Sequence, residues 1–234
     1  MFPLGILRYL RSLARFRMSS SERIDLLPCL HDWYEEGGET RSEYFWQDLL
    51  VAKMIHEANP QKHVDIGSRV DGFVAHVASF REIEVFDVRN VSATIPGVVF
   101  RRADLMKSLP EMRAYCDSLS CLHALEHFGL GRYGDPLSPL GYISGLANMA
   151  DLLKPGGQFY LSVPIGIPRV EFNAHRIFDP QAIIRYAGQN SLRLSSFTAI
   201  HAGGRIEQYS PETAPFSSLG AIPYSLGVFT FMKL

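Results

Sequence analysis

Hydrophobic and polar positions along the chain follow three successive rhythms. The first is helical. Phe2, Ile6, Tyr9, Leu10, Leu13 and Phe16 fall on one face with Arg8, Ser12, Arg15 and Ser19 opposite, which predicts an amphipathic N-terminal helix. The stretch from Ser20 to about Pro60 then mixes aromatic and acidic residues, passes Gly37-Gly38, and regains helical spacing through Tyr44, Leu49, Ala52 and Ile55. Such a segment either covers the mouth of a site or completes a core. From Lys62 the period shortens. Strands are expected at His63–Ile66, Glu82–Asp87, Val98–Arg101, Ser118–Leu122, Gln158–Val163, Leu192–Ala199 and Val228–Met232. Helices are expected through Phe73–Ala78, Tyr142–Leu153 and after Asp179, with Pro155-Gly156-Gly157 breaking the second.

Alternating strands and helices imply right-handed crossovers and a mostly parallel sheet covered on both faces. The expected organisation is a helical extension over residues 1–60 and one α/β domain over 61–234. Ligands in such sheets bind beyond the carboxyl ends of the strands.

Composition narrows the classes. Hydrophobic residues make up 47% of the 234, so the chain is rich enough to bury a core without staples. Lys and Arg number 23 against 24 Asp and Glu, a balance that argues against a nucleic-acid partner. Cys29, Cys116 and Cys121 lack C-x-x-C spacing, which points away from disulfides and zinc and towards a reducing compartment such as the cytoplasm. Charge is uneven in one place. No acidic residue precedes Glu22, while Arg8, Arg11, Arg15 and Arg17 are all basic. Three readings stay open for that helix: packing on a domain or partner, peripheral contact with a membrane, or an import peptide.

Candidate chemistry gathers after the strands. Gly67 follows the first and is followed by Ser68 and Arg69, where a glycine permits a tight turn and close approach to a ligand. Asp87 ends the second strand, in the position from which a carboxylate accepts both hydroxyls of a ribose. Asp104 follows the third. The fourth ends in Leu122-His123-Ala124-Leu125-Glu126-His127, crowding two imidazoles and a carboxylate at one edge. A metal site is not expected, because Ala124 stands where the H-E-x-x-H pattern needs its glutamate.

The D-x-x-x-x-x-H-x-L-E-H run from Asp117 to His127 resembles the fourth-strand motif of class I S-adenosylmethionine (SAM)-dependent methyltransferases of the ubiquinone-biosynthesis type. Leu153-Lys154-Pro155-Gly156-Gly157 resembles their L-K-P-G-G step, and His175 to Phe178 is similar to their H-x-R-x-F segment, spaced more tightly. Asp65 to Phe73 and His123 to Pro136 look closer still to an uncharacterised branch of that superfamily, a domain of unknown function. The resemblance implies a Rossmann-like sheet of seven strands, mostly parallel with an antiparallel last strand. It implies SAM as cofactor, with Asp65, Gly67, Ser68 and Arg69 at its methionine end. Asp87 and Val88 would lie at its ribose, Asp104 and Leu105 at its adenine, and Leu122 nearby. Arg69 replaces a motif glycine, so either the methionine carboxylate is held differently, by Arg69 itself, or the fold serves as an inactive binding or scaffold protein.

For a hydroxyl acceptor a general base is expected, and histidine suits neutral pH. The order of candidates is His127, His175, then His123, with Glu126 orienting an imidazole and Asp135 as an alternative acceptor contact. Polar loops suit a hydroxylated small molecule or a glycan, and the basic N-terminus would suit polysaccharide biosynthesis at a membrane. Residues Pro211 to Pro223 read as an excursion that in this fold can join the acceptor pocket.

Overall fold

The computed structural model describes residues 2–38 and 40–234. The chain divides into two compact units, 1–40 and 41–234. In the first, helix α1 spans Phe2–Ser19 and a short 3₁₀ turn covers Asp32–Tyr34.

The second unit begins with α2, Glu43–Ala58, where Ser42 caps the helix by accepting from the Tyr44 amide and Asn59 closes it at φ 42°. Sequence spacing groups this helix with the N-terminal extension. In the structure Val51, Ala52 and Ile55 are buried against Phe73, Val74 and Val77, so α2 belongs to the α/β unit. Truncating fully buried Ile55 to alanine should cost about 2–5 kcal/mol.

Strands β1 (His63–Ile66), β2 (Ile83–Asp87), β3 (Val98–Arg102), β4 (Cys116–Leu122) and β5 (Leu153–Ile165) are mutually parallel. A π-type turn at Val70–Val74 leads into α3, Ala75–Ala78; α4 spans Gly141–Leu152 and α5 Pro180–Gln189. α5 starts where the sequence predicts: Asp179 accepts from the Gln181 amide at 3.0 Å and Pro180 occupies the first turn. The sheet has eight strands rather than seven, ordered β3-β2-β1-β4-β5-β10-β8-β9. β8 (Leu192–His201) and β10 (Ser225–Lys233) are expected from sequence; β9 (Arg205–Tyr209) is not. It is a polar edge strand after Gly203-Gly204, with no continuous apolar face to announce it. Both β9 and β10 run antiparallel to their neighbours, so antiparallel pairing extends beyond the last strand. β6 (Arg169–Glu171) and β7 (His175–Ile177) form a separate hairpin.

Alternation along the strands feeds two cores. Ile83 and Val85 join the α2–α3 layer, while Phe86 joins the layer with Leu146 and Met149 of α4 and Ile183 of α5. Chain order reverses between β1 and β4, which places the topological switch point at their carboxyl ends. The Pro211–Pro223 excursion sends Leu219 of α6 (Phe216–Leu219) into the core.

Candidate functional site

A cavity of about 810 Å³ opens at that switch point, within the size range of small-molecule sites. Its floor is the turn after β1. Gly67 sits at φ 75°, a left-handed conformation that favours glycine, and a Cβ there would lie 3.0 Å from that of Ala124. Asp65, expected beside the cofactor, is instead buried behind the turn and does not line the cavity. Its carboxylate accepts from the Ser68 amide at 3.0 Å, the Ser68 hydroxyl at 2.8 Å and the Ser120 hydroxyl at 2.5 Å. Burial pushes its pKa up to about 6 against those hydrogen bonds. Asp65 shapes the turn, and Ser68 is the residue it fixes. Beneath it His63 bridges Ser118 and Ser120, and burial lowers its pKa to about 3, so it is neutral.

The wall beyond β2 carries Asp87, Val88 and Arg89. Asp87 accepts from Arg89 Nε at 3.0 Å and Nη2 at 2.6 Å, one oxygen to each nitrogen. Two carboxylate oxygens that take a guanidinium fork also match the two hydroxyls of a vicinal diol. Arg89 therefore occupies both acceptor oxygens that Asp87 could offer to a diol. Arg69 lines the rim and is held by Asp71 at 2.9 and 2.6 Å. Asp104 and Leu105 line the same wall; Asp104 accepts from the Met106 amide at 3.0 Å, and the Leu105 carbonyl accepts from Asn148 at 2.8 Å. Leu122 completes it from β4.

The opposite wall is charged in a different way. His123 adopts φ 50°, stacks on Tyr44 at 4.5 Å and donates from Nδ1 to Glu126 at 2.8 Å. Its Nε2 lies 3.2 Å from Glu43, close in charge but without hydrogen-bond alignment. Burial alone would lower the His123 pKa, but the two carboxylates outweigh it and raise it to about 9, so this ring is an imidazolium. It cannot serve as a base at neutral pH. Glu43 also accepts from Tyr224 at 2.5 Å; burial opposes its ionisation, yet the His123 and Tyr224 contacts hold its pKa below the ordinary value.

His127 has the opposite state. Its Nδ1 donates to the Ala174 carbonyl at 2.7 Å, which fixes the tautomer, and burial lowers its pKa. The neutral Nε2 lone pair stands 3.7 Å from Glu126 Oε1, on a ring that lines the cavity and meets Tyr133 edge-on. His175 does not line the cavity. It faces Glu171 across the hairpin at 3.4 Å. The neighbouring Arg176 is 5% exposed and donates to the Glu126, Phe128 and Pro139 carbonyls, holding the segment that carries His127. Asp135 lines the cavity, but its carboxylate is taken by the amides of Gly129, Gly131 and Tyr133. It organises a loop rather than offering an acceptor contact. No residue of the Pro211–Pro223 excursion lines the cavity.

Sequence reasoning misses Glu43, Tyr44, Gln47, Asp48, Arg89, Tyr133 and Tyr224. For α2 a signal exists: residues 43, 47, 51 and 55 share one face, polar at its start and apolar at its end. The polar end meets the cavity, where Asp48 lies close to Gly72 and accepts from Gln47 at 2.9 Å.

Residues 97–190 match the model of the family described as "Caenorhabditis protein of unknown function, DUF268". No curated protein matches the sequence. Among solved structures, the chain is similar to the 1,6-didemethyltoxoflavin-N1-methyltransferase of Burkholderia thailandensis, determined with 1,6-didemethyltoxoflavin and S-adenosylhomocysteine bound. Identity is 16% and TM-score 0.55, over 86% of this chain and 80% of that one. The N-methyltransferase NodS of Bradyrhizobium japonicum, with S-adenosylhomocysteine bound, is 12% identical with TM-score 0.53, over 95% and 97% of the two chains. The [4+2]-cyclase SpnF is 15% identical with TM-score 0.57, over 84% of each. The α/β unit has a class I methyltransferase-like fold: a mixed sheet, mostly parallel, with antiparallel C-terminal strands and flanking helices.

Proposed function

We propose that this protein is a SAM-dependent methyltransferase acting on a hydroxylated small molecule. The observation that carries the reading is one cavity with a diol-matching carboxylate, Asp87, on one wall and a neutral, tautomer-fixed imidazole, His127, on the other. The residues fit the cofactor. Gly67 brings backbone to the cavity without a Cβ, Leu105 and Leu122 supply apolar surface, and Asp87 needs only to exchange Arg89 for the two ribose hydroxyls. Arg69, standing where a motif glycine is expected, is placed on the rim to hold a carboxylate if it parts from Asp71.

Bound SAM would supply an electrophilic methyl group on a sulfonium. The chain's own part is alignment and proton handling. His127 Nε2 takes the acceptor's proton as its oxygen attacks, and Nδ1–H, held by the Ala174 carbonyl, keeps the ring in the receptive tautomer. Glu126 stands beside the imidazolium that results. The His123 imidazolium is spent on binding Glu43 and Glu126 and thus ties α2 to the segment after β4.

One observation favours a second reading. Arg89 already satisfies Asp87, and a chain that keeps this ion pair would be a binding or scaffold protein with no turnover. Incubation with methyl-labelled SAM and fractionated small-molecule extract separates the two. Labelled product that disappears with His127→Ala supports the enzyme; cofactor binding with no labelled product in any fraction supports the scaffold.

A further inference from the structure

The N-terminal unit lacks what a folded unit normally has. From Leu4 to Gly38 no hydrophobic side chain is buried. Large apolar groups face outward instead: Leu10 is 53% exposed, Phe16 51%, Met18 88%, Leu27 82% and Trp33 70%. So many exposed large apolar side chains within 35 residues mark a surface that something covers. We infer that this unit lies on an anionic membrane surface, with α1 parallel to the bilayer plane.

Three features choose lipid over other partners. On α1, Ile6, Leu10, Leu13 and Phe16 share one side, with Arg17 among them in the last turn; Arg8, Arg11 and Arg15 share the other with Leu4 and Leu7, and no residue is acidic. A second copy packed on the apolar face would leave the arginines pointing outward with no carboxylate of either helix to offset them, whereas anionic headgroups neutralise them. A helix is about 10–12 Å across, so guanidinium groups on the far face still lie within about a Debye length of the headgroups. Their long stems also let them reach down. The segment after the helix adds to the same chemistry. Arg8 sits 4.4 Å over the ring of exposed Trp33, a cation on an amphipathic aromatic of the kind that seats at headgroup level.

The contact is interfacial. Among the described residues no helix is long and apolar enough to cross a membrane, and α1 carries four arginines in its 18 residues. Its apolar face would enter only about 5–10 Å, to the boundary of headgroups and acyl chains. This inference does not depend on the methyltransferase reading.

The test is flotation of the full chain with vesicles of phosphatidylcholine alone or mixed with phosphatidylserine. The protein should float with the mixed vesicles, far less with phosphatidylcholine alone, and salt should weaken the binding. Leu10→Glu should abolish flotation. Arg11→Gln with Arg15→Gln should weaken it roughly 25-fold, about five-fold for each charge near an anionic surface. Unchanged near-UV circular dichroism in both variants would show that the α/β unit is intact. Absence of flotation, or equal binding to both vesicle types, would overturn the inference. So would a dimer in light scattering that Leu10→Glu dissociates without any vesicle binding, because the face would then belong to a second copy.

Discussion

The two walls of the cavity are built by different means. The β1–β2 wall is local: Gly67 and Asp87 are strand-terminal residues whose positions follow from the sheet, and each meets the cavity within a residue or two of its strand. The β4 wall is assembled from afar. His123 stands between Glu126 and Glu43 of α2, Tyr224 before β10 reaches the Glu43 carboxylate, and His127 is fixed by a carbonyl of the β6–β7 hairpin. Both walls carry a left-handed backbone turn, at Gly67 and at His123, but only in the second do charges from distant elements converge on one imidazole. Two histidines four residues apart thereby reach opposite states, one an imidazolium between two carboxylates and one a neutral ring on a carbonyl.

That contrast can be broken one wall at a time. The largest effect should come from Gly67→Val, which forces a β-branched residue to φ 75° against Ala124 and should abolish S-adenosylhomocysteine binding while circular dichroism stays native. Retained binding would make the turn a purely structural feature. On the far wall, His127→Ala should cut turnover by about 10²–10⁴-fold in single-turnover assays, with little change in cofactor affinity. Because burial lowers the His127 pKa, the acid limb of that rate should fall below the ordinary histidine value of about 6.5, and the variant should lose it. A limb at or above that value would contradict the assignment. Removing Arg89 is a smaller change with a sign that discriminates. Arg89→Ala should tighten S-adenosylhomocysteine by roughly five-fold, the worth of a partly exposed ion pair no longer competed against. Weaker binding would mean that Arg89 contacts the cofactor rather than standing in its place.

The smallest expected effect concerns the network under the first wall. His63 stays neutral down to about pH 3 when folded, whereas an unfolded histidine protonates below about 6.5. In that window the unfolded chain binds more protons, so stability should fall as pH falls. Asp65, raised to about 6, acts the other way between about pH 4 and 6 and offsets part of the loss. His63→Gln, which can still bridge Ser118 and Ser120, should flatten the decline in a series of thermal melts. A slope unchanged in this variant would place the proton uptake elsewhere.

What was legible in the sequence follows the same division. Strand ends can be read from period and punctuation, and Gly67, Asp87, Asp104 and Leu122 all line the cavity. Asp65 shows the limit: its position at a strand end is right, but whether a side chain points to the cavity or behind it depends on alternation and on Ser120, a residue of another strand. His175 and Asp135 fail for a related reason. Both lie near the site, yet Glu171 and a ring of loop amides claim their polar atoms, and those partners come only with the folded hairpin and loop. The edge strand β9 hides because one polar face of an edge resembles a loop.

Calorimetric titration of S-adenosylhomocysteine into the 234-residue chain tests the central claim most directly. Saturable binding at one site per chain is expected, weakened roughly 5- to 150-fold by Asp87→Ala, the range set by about 1–3 kcal/mol for hydrogen bonds to a charged group. An absence of binding heat in both the wild-type chain and Arg89→Ala would contradict it, as would binding that Asp87→Ala leaves unchanged.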